Sequence, residues 1–417
     1  MNLFANTQRK FFLFWSVMGP GIITAFADND AGGIATYAAA GAKYGYALLF
    51  ILSLSTLCLA VAQEISARTG AVTGRGLSDL IRETFGVRWT FMAMGILLVA
   101  NIGTTASEFS GIATSMEMFG ISKYIAVPCI AFLIWWLVMR ASYERLEKFF
   151  LILCLTFFSY VIAGAMANPD WHEVAKAAVT PVFSLDSGFL LMAIGIVGTT
   201  ITPWGQFYVQ ASVVDKGITV KEYHYTFWDV IIGSFFTGFI AFFIIVSTAG
   251  TLYVDQVDIE TAKDAALALE PLAGQYASAL FSCGLLGASM LAAIILPLST
   301  SYAICEALGF EHRINSTYKE APVFFGLYTL LIGIGAGLVL WPDLSLYAVM
   351  LASQVINGIL LPPILVFMLL IASNKNIMGS HANSRLYNII CGIAVVLLIF
   401  LSVLLLILTV FPGFLDS

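Results

Sequence analysis

Charge is what this sequence has least of. Of its 417 residues only 11% are Asp, Glu, Lys or Arg, while 60% are hydrophobic and the mean hydropathy is +0.92. Soluble domains carry roughly 25% charged residues, so a soluble fold is excluded and an all-α polytopic membrane protein, with the lipid bilayer as its partner, is expected. The few basic residues form no run or patch, which excludes a nucleic-acid partner. Metal-ligating side chains are equally sparse. The four histidines (His172, His224, His312, His381) fall near the ends of apolar runs or between them. The six cysteines (Cys58, Cys129, Cys154, Cys283, Cys305, Cys391) are scattered within those runs without metal-ligand spacing, and read as small hydrophobes. No nucleophile, base and orienting group come together, so an enzyme is not expected, nor a resident cofactor, nor an obligatory protein partner. Linkers and low-complexity tracts are missing as well, so residues 1–417 are expected to form a single transmembrane domain.

What the chain has in abundance is apolar runs of about 20 residues, the length that crosses a bilayer. Eleven are expected, near residues 12–41, 45–67, 89–119, 124–139, 149–167, 187–214, 226–252, 276–308, 322–341, 345–371 and 387–412. The first and sixth are broken, and the third and eighth are long enough to hold more than one feature. Arg9 and Lys10 before an apolar run resemble a secretory leader, but Gly19-Pro20-Gly21 interrupts that run and the segment reads as a span. Basic residues sort by side. With the N-terminus cytoplasmic, only Lys43, Lys123, Lys176 and Lys263 fall outside, leaving 15 of the 19 inside. That is the positive-inside pattern, and it puts the C-terminus outside. Residues 253–270, rich in acidic side chains, read as a solvated exterior loop.

The chain is organised around Gly19 to Thr36, GPGIITAFADNDAGGIAT. It lies within an apolar span yet carries five helix-disrupting Gly or Pro residues and two carboxylates, Asp28 and Asp30. Lipid leaves no backbone group unpaired, and a charge at the bilayer centre costs at least ~2.5 kcal/mol. Both problems vanish if the helix breaks here and the break lines a cavity that receives a cation. GIVGTTITPWGQFYVQ, Gly195 to Gln210, has the same character half a protein later. Paired, interrupted segments in two halves mark the midplane site of an inverted-repeat transporter. The repeats are expected over about 12–167 and 187–371, with an extra helix at 387–412.

Four further carboxylates lie in the spans. Glu64 and Glu306 sit toward cytoplasmic ends, where solvent or partners such as Arg68 satisfy them, and Glu117 sits near an exterior end. Glu108, deep and flanked by small and hydroxyl residues, reads equally as part of an aqueous pathway or as a structural hydrogen-bonding group. Gln354 and Asn357, three apart, share a helix face and read equally as pathway or as polar glue between helices.

These residues resemble the NRAMP family of divalent-metal transporters along nearly the whole chain. Where the family has Asp-Pro-Gly-Asn and Phe-Ala-Thr, this chain has Asp30-Ala31-Gly32-Gly33-Ile34-Ala35-Thr36, followed by GAKYGY from Gly41 to Tyr46. The family's sixth-span Ala-Thr-Val-Met-Pro-His aligns with Thr199-Thr200-Ile201-Thr202-Pro203-Trp204, its Asp-Leu-Ala-Glu-Phe with Thr105 to Phe109, and its tenth-span glutamine with Gln354. The resemblance implies a LeuT-like fold of 11 transmembrane helices, an inverted 5+5 repeat with broken helices 1 and 6. It also implies a metal held by the first-span carboxylate (Asp30), a backbone carbonyl (Ala27) and the sixth-span position 202.

The departures shape the functional expectation. The family's asparagine is Gly33, which removes a ligand and widens the site, and its methionine is Thr202, which exchanges a soft sulfur for oxygen. Asp30, the hydroxyls of Thr199 and Thr202, Gln206, Gln354 and carbonyls, with Asp28 adding charge, suit a hydrated Mg2+ that sheds water reluctantly; Mn2+ is expected to be accepted too. The pattern is similar to the NRAMP-related magnesium transporters. The family's third-span aspartate is Thr105 and its sixth-span histidines are Trp204 and Val209, leaving only Glu108 of the proton route. Transport without obligatory proton coupling is therefore expected, in a plasma membrane. The alternatives are a proton-coupled Mn2+ or Fe2+ symporter of the ordinary family type and an amino-acid transporter of the same fold, against which Asp28 and Asp30 argue by repelling a substrate carboxylate.

Overall fold

The computed structural model describes residues 20–140, 155–257, 259–311 and 318–410. Every regular element among them is helical. The first apolar segment is split into α1 (Pro20–Asp28) and α2 (Ala31–Tyr44), as expected from its glycines and carboxylates. Then come α3 (Leu49–Thr73), a short amphipathic α4 (Leu77–Phe85), α5 (Val87–Met118), α6 (Lys123–Arg140), α7 (Phe158–Met166) and the surface helix α8 (Trp171–Val179). The sixth segment is split into α9 (Ser187–Thr200) and α10 (Pro203–Asp215). The chain continues through α11 (Tyr223–Thr248), a loop helix α12 (Ala262–Ala266), α13 (Ala277–Leu308), α14 (Pro322–Val339), α15 (Leu346–Ser373) and α16 (Arg385–Val410).

Helices α4, α8 and α12 lie in the loops, and the rest account for the eleven expected spans. The parts of those spans at 12–19, 149–154 and 411–412 lie outside the described residues. Two expectations change. The third and eighth spans are each a single helix of 32 residues, about 48 Å long at 1.5 Å per residue, and hold no second element. The second span runs on to Thr73, so Glu64 and Arg68 stand on a helix that ends only where Gly74 takes φ +64.

Lipid supplies no hydrophobic force between helices, so the bundle closes by small-residue contact. A Cβ at Gly198 would lie 2.0 Å from the Gln354 carbonyl oxygen, and one at Gly358 would lie 2.5 Å from that of Ile194. Those contacts press α9 onto α15. Gly21 and Gly233 bring α1 equally close to α11. Helix α5 packs between α13 and α15, and α11 lies along α1, α2 and α3. The two breaks, α1/α2 and α9/α10, therefore meet near the centre of the bundle.

On the arginine-rich face, Glu64 accepts from Arg68 at 2.8 Å, from the Tyr223 hydroxyl at 2.5 Å and from the Tyr387 hydroxyl at 2.7 Å. This ties α3 to α11 and to α16, and it satisfies the expectation that Glu64 pairs with Arg68. Glu306 accepts from Ser78 on α4.

Candidate metal centre

The first break occupies Asn29 and Asp30. Asp30 has extended backbone angles (φ −78, ψ −179) and caps α2, its Oδ1 accepting the Gly33 N–H at 2.6 Å. A short acceptor ahead of a helix is the standard N-cap, and the helix dipole adds stabilisation to a carboxylate there. The second break occupies Ile201 and Thr202, with Pro203 opening α10, a position where its missing N–H costs nothing. Thr202 donates its hydroxyl to Asp28 Oδ1 at 2.9 Å and so bridges the two breaks. The second oxygen, Asp28 Oδ2, has no hydrogen-bond partner, nor does Thr199 Oγ1. Tyr37 and Thr200 form a second bridge, hydroxyl to hydroxyl at 2.9 Å.

Gln354 on α15 points its amide nitrogen at both Asp30 oxygens, at 3.4 and 3.5 Å. It lies over Gly32, where a Cβ would come within 1.9 Å of that nitrogen. Asn357, one turn on, donates to Gln354 Oε1 at 3.0 Å and to Thr104 on α5 at 3.0 Å. Glu108, also on α5, accepts the N–H of Ala31, the residue after Asp30, at 3.3 Å. Asp28, Asp30, Glu108, Thr199, Gln354 and Asn357 are all fully buried.

The structure thus brings together Asp28, Asp30, Thr199, Thr202, Gln354, Asn357 and Glu108. Ala27 lies in the last turn of α1, where backbone carbonyls lack intrahelical partners. Gln206 is one turn further along α10 and turns toward α3, its Oε1 accepting from Ser66 at 3.3 Å. Trp204 is buried beside Tyr208, with ring centroids 5.9 Å apart. The room that Gly33 was expected to open is filled. A Cβ there would sit 2.8 Å from Thr199 Oγ1 and 3.2 Å from the Asp28 carbonyl oxygen, so this conformation has no wide cavity at that position.

Sequence reasoning missed Asp229 in the seventh span. Its Oδ2 accepts the Gly21 N–H at 2.8 Å and caps the start of α1. An ionisable residue inside an apolar run was the available signal. Thr104 and Ser107, on the face of α5 that meets the site, were visible only as part of a hydroxyl-rich stretch.

With three carboxyl groups (Asp28, Asp30 and Glu108), the hydroxyls of Thr199 and Thr202 and no sulfur among these residues, the arrangement suits a hard divalent cation. Known proteins place the chain in context. It is 27% identical over 407 residues to the divalent metal cation transporter MntH of Bacillus subtilis, covering 94% of this chain and 91% of that one. It is 25% identical over 400 residues to the MntH of Granulibacter bethesdensis, covering 93% and 87%. The fold superposes on the Eremococcus coleocola manganese transporter with a TM-score of 0.74 at 21% identity, covering 96% of this chain and 87% of that one. It also superposes on MhsT in complex with L-phenylalanine, with a TM-score of 0.59 at 14% identity, covering 92% and 98%. The fold is therefore LeuT-like. Residues 21–408 match the natural resistance-associated macrophage protein-like (Nramp) family, and the chain belongs to that family.

Proposed function

We propose that this protein imports a divalent metal cation by alternating access, with hydrated Mg2+ as the preferred ion, Mn2+ accepted, and no obligatory proton coupling. The observation that carries this reading is the donor set at the two breaks. Gly33 offers no side-chain ligand, Thr202 offers oxygen where the family's resemblance implies sulfur, and Asp28 adds a second carboxylate opposite Asp30. Oxygen donors with two negative charges favour a hard ion over a soft one. Asp30 Oδ2, Asp28 Oδ2, Thr199 Oγ1 and the Ala27 carbonyl are the proposed contacts, direct or through retained water. Gln354 steers Asp30 and, with Asn357 and Glu108, forms the polar wall of the pathway. Gln206 and Trp204 line its α10 side.

The driving force needs no proton. At ~2.3 kcal/mol per charge per 100 mV, a divalent ion entering a negative-inside compartment gains ~4.6 kcal/mol per 100 mV. The basic face, with Arg68, Arg75 and Arg82, is the cytoplasmic one on this reading. Asp30→Ala should lower Mg2+ uptake by at least about 100-fold, because it removes a ligand rather than a supporting group; unchanged uptake would remove this site from the reading.

A second reading, proton-coupled Mn2+ import, is favoured by one observation. Glu108 accepts the N–H of Ala31, the residue after Asp30, which puts a carboxyl group able to carry a proton beside the site, and the MntH relatives are named as divalent metal cation transporters. Internal acidification accompanying Mn2+ entry would select it.

A further inference from the structure

On the face opposite the arginines, a vestibule of about 510 Å³ opens between the end of α5, the loop helix α12 and the starts of α13 and α15. Thr114, Glu117, Glu260, Lys263 and Ser345 line it, and Tyr347 belongs to the same lining. Neither Asp28 nor Asp30 does. Tyr347 is only 6% exposed, and its hydroxyl donates to the backbone carbonyl of Ala35 on α2 at 3.0 Å.

The register of the two helices gives this contact its meaning. Tyr347 and Gln354 are seven residues apart, two turns of α15, and so share a face about 10 Å apart along the axis. Ala35 is five residues beyond Asp30, about 7.5 Å up α2. Helix α15 therefore touches α2 at two levels, through Gln354 on Asp30 at the site and through Tyr347 on Ala35 above it. Tyr347 thus lines the vestibule and reaches with its hydroxyl to α2, five residues beyond Asp30. The Tyr347–Ala35 hydrogen bond is a clasp between α2 and α15 on the vestibule side.

We propose that Tyr347 is the outer gate: its ring and its bond to Ala35 close the path from the Glu117–Glu260 vestibule to Asp30. This rests on reading the protein as an alternating-access carrier. It does not depend on which metal is carried.

The test is reagent access. Ser107, fully buried with its Oγ 2.8 Å from where a Gly32 Cβ would stand, marks the site side of the gate. In full-length Ser107→Cys protein in cells, a cationic, membrane-impermeant methanethiosulfonate is added from the vestibule side. The parent chain with its own six cysteines supplies the background rate. Adding Tyr347→Phe, which deletes only the hydroxyl clasp, should speed modification about 5-fold, the worth of one hydrogen bond. Tyr347→Ala, which also removes the ring, should speed it about 10-fold or more. Rates equal to that of the Tyr347 chain in both variants would overturn the proposal. If Tyr347→Ala does not reach the membrane, Tyr347→Phe alone decides between the same two results. Because the readout is thiol modification, it stands or falls separately from metal selectivity.

Discussion

At the residue scale, the two departures from the family pattern are each coupled to a neighbour. Thr202 holds Asp28 Oδ1, so Thr202→Met brings in sulfur but also leaves a buried carboxylate oxygen without its donor, at a cost of about 1–3 kcal/mol. The single substitution should therefore lower thermal stability while raising Cd2+ binding relative to Mg2+. Calorimetric titration with both ions, beside a melting curve, measures the two effects together. In the same way, Gly33→Asn meets Thr199 Oγ1 at 2.8 Å. It should impair folding alone and be rescued by Thr199→Ala, a non-additivity expected of residues in contact and read as recovered expression and melting temperature. Asp28→Asn keeps the Thr202 contact and removes a charge, and it should weaken Mg2+ binding about 10-fold. Unaltered affinity would mean that Asp28 only braces Thr202. Much of this site was legible in the sequence, because intramembrane carboxylates and broken helices are costly in lipid and therefore conspicuous. The partners of those residues were not. That Thr199 fills the space at Gly33, or that Gln206 turns toward Ser66, depends on how helices distant in sequence come to face one another.

At the scale of elements, the breaks persist because every interrupted end has a partner. Asp30 caps α2, Asp229 caps α1 from across the bundle, and Pro203 opens α10 without wasting a donor. Asp229→Ala should leave the Gly21 N–H unsatisfied and loosen α1 against α11, seen as faster amide exchange over Gly21–Ala25 with little change in α13. The clasp around Glu64 works on a different pair of elements. Its carboxylate takes bonds from Arg68, Tyr223 and Tyr387 with the side chain 12% exposed. Removing one member of a buried ion pair costs about 3–5 kcal/mol, so Glu64→Ala should lower the melting temperature in detergent more than any exposed substitution, and Glu64→Gln should lower it less. The number and order of the spans could be read from run length and from the sorting of basic residues. The continuity of α5 and α13 could not, since hydropathy marks only the apolar stretch and α5 carries buried polar residues such as Asn101 and Ser107 along much of its length.

At the scale of the whole molecule, a buried site between two broken helices, a vestibule above it and an arginine-rich face below describe a carrier caught with its path closed. On the reading proposed above, Asp28 and Asp30 meet the ion and the membrane potential supplies its drive. The central claim is that a hard divalent cation moves through this site by itself. Mg2+ uptake into proteoliposomes, followed with an internal magnesium dye while a second dye follows internal pH, tests it most directly. The account predicts Mg2+ entry that scales with the imposed potential and leaves internal pH unchanged. No Mg2+ entry, with Mn2+ flux that acidifies the lumen, would contradict it and select the proton-coupled reading instead.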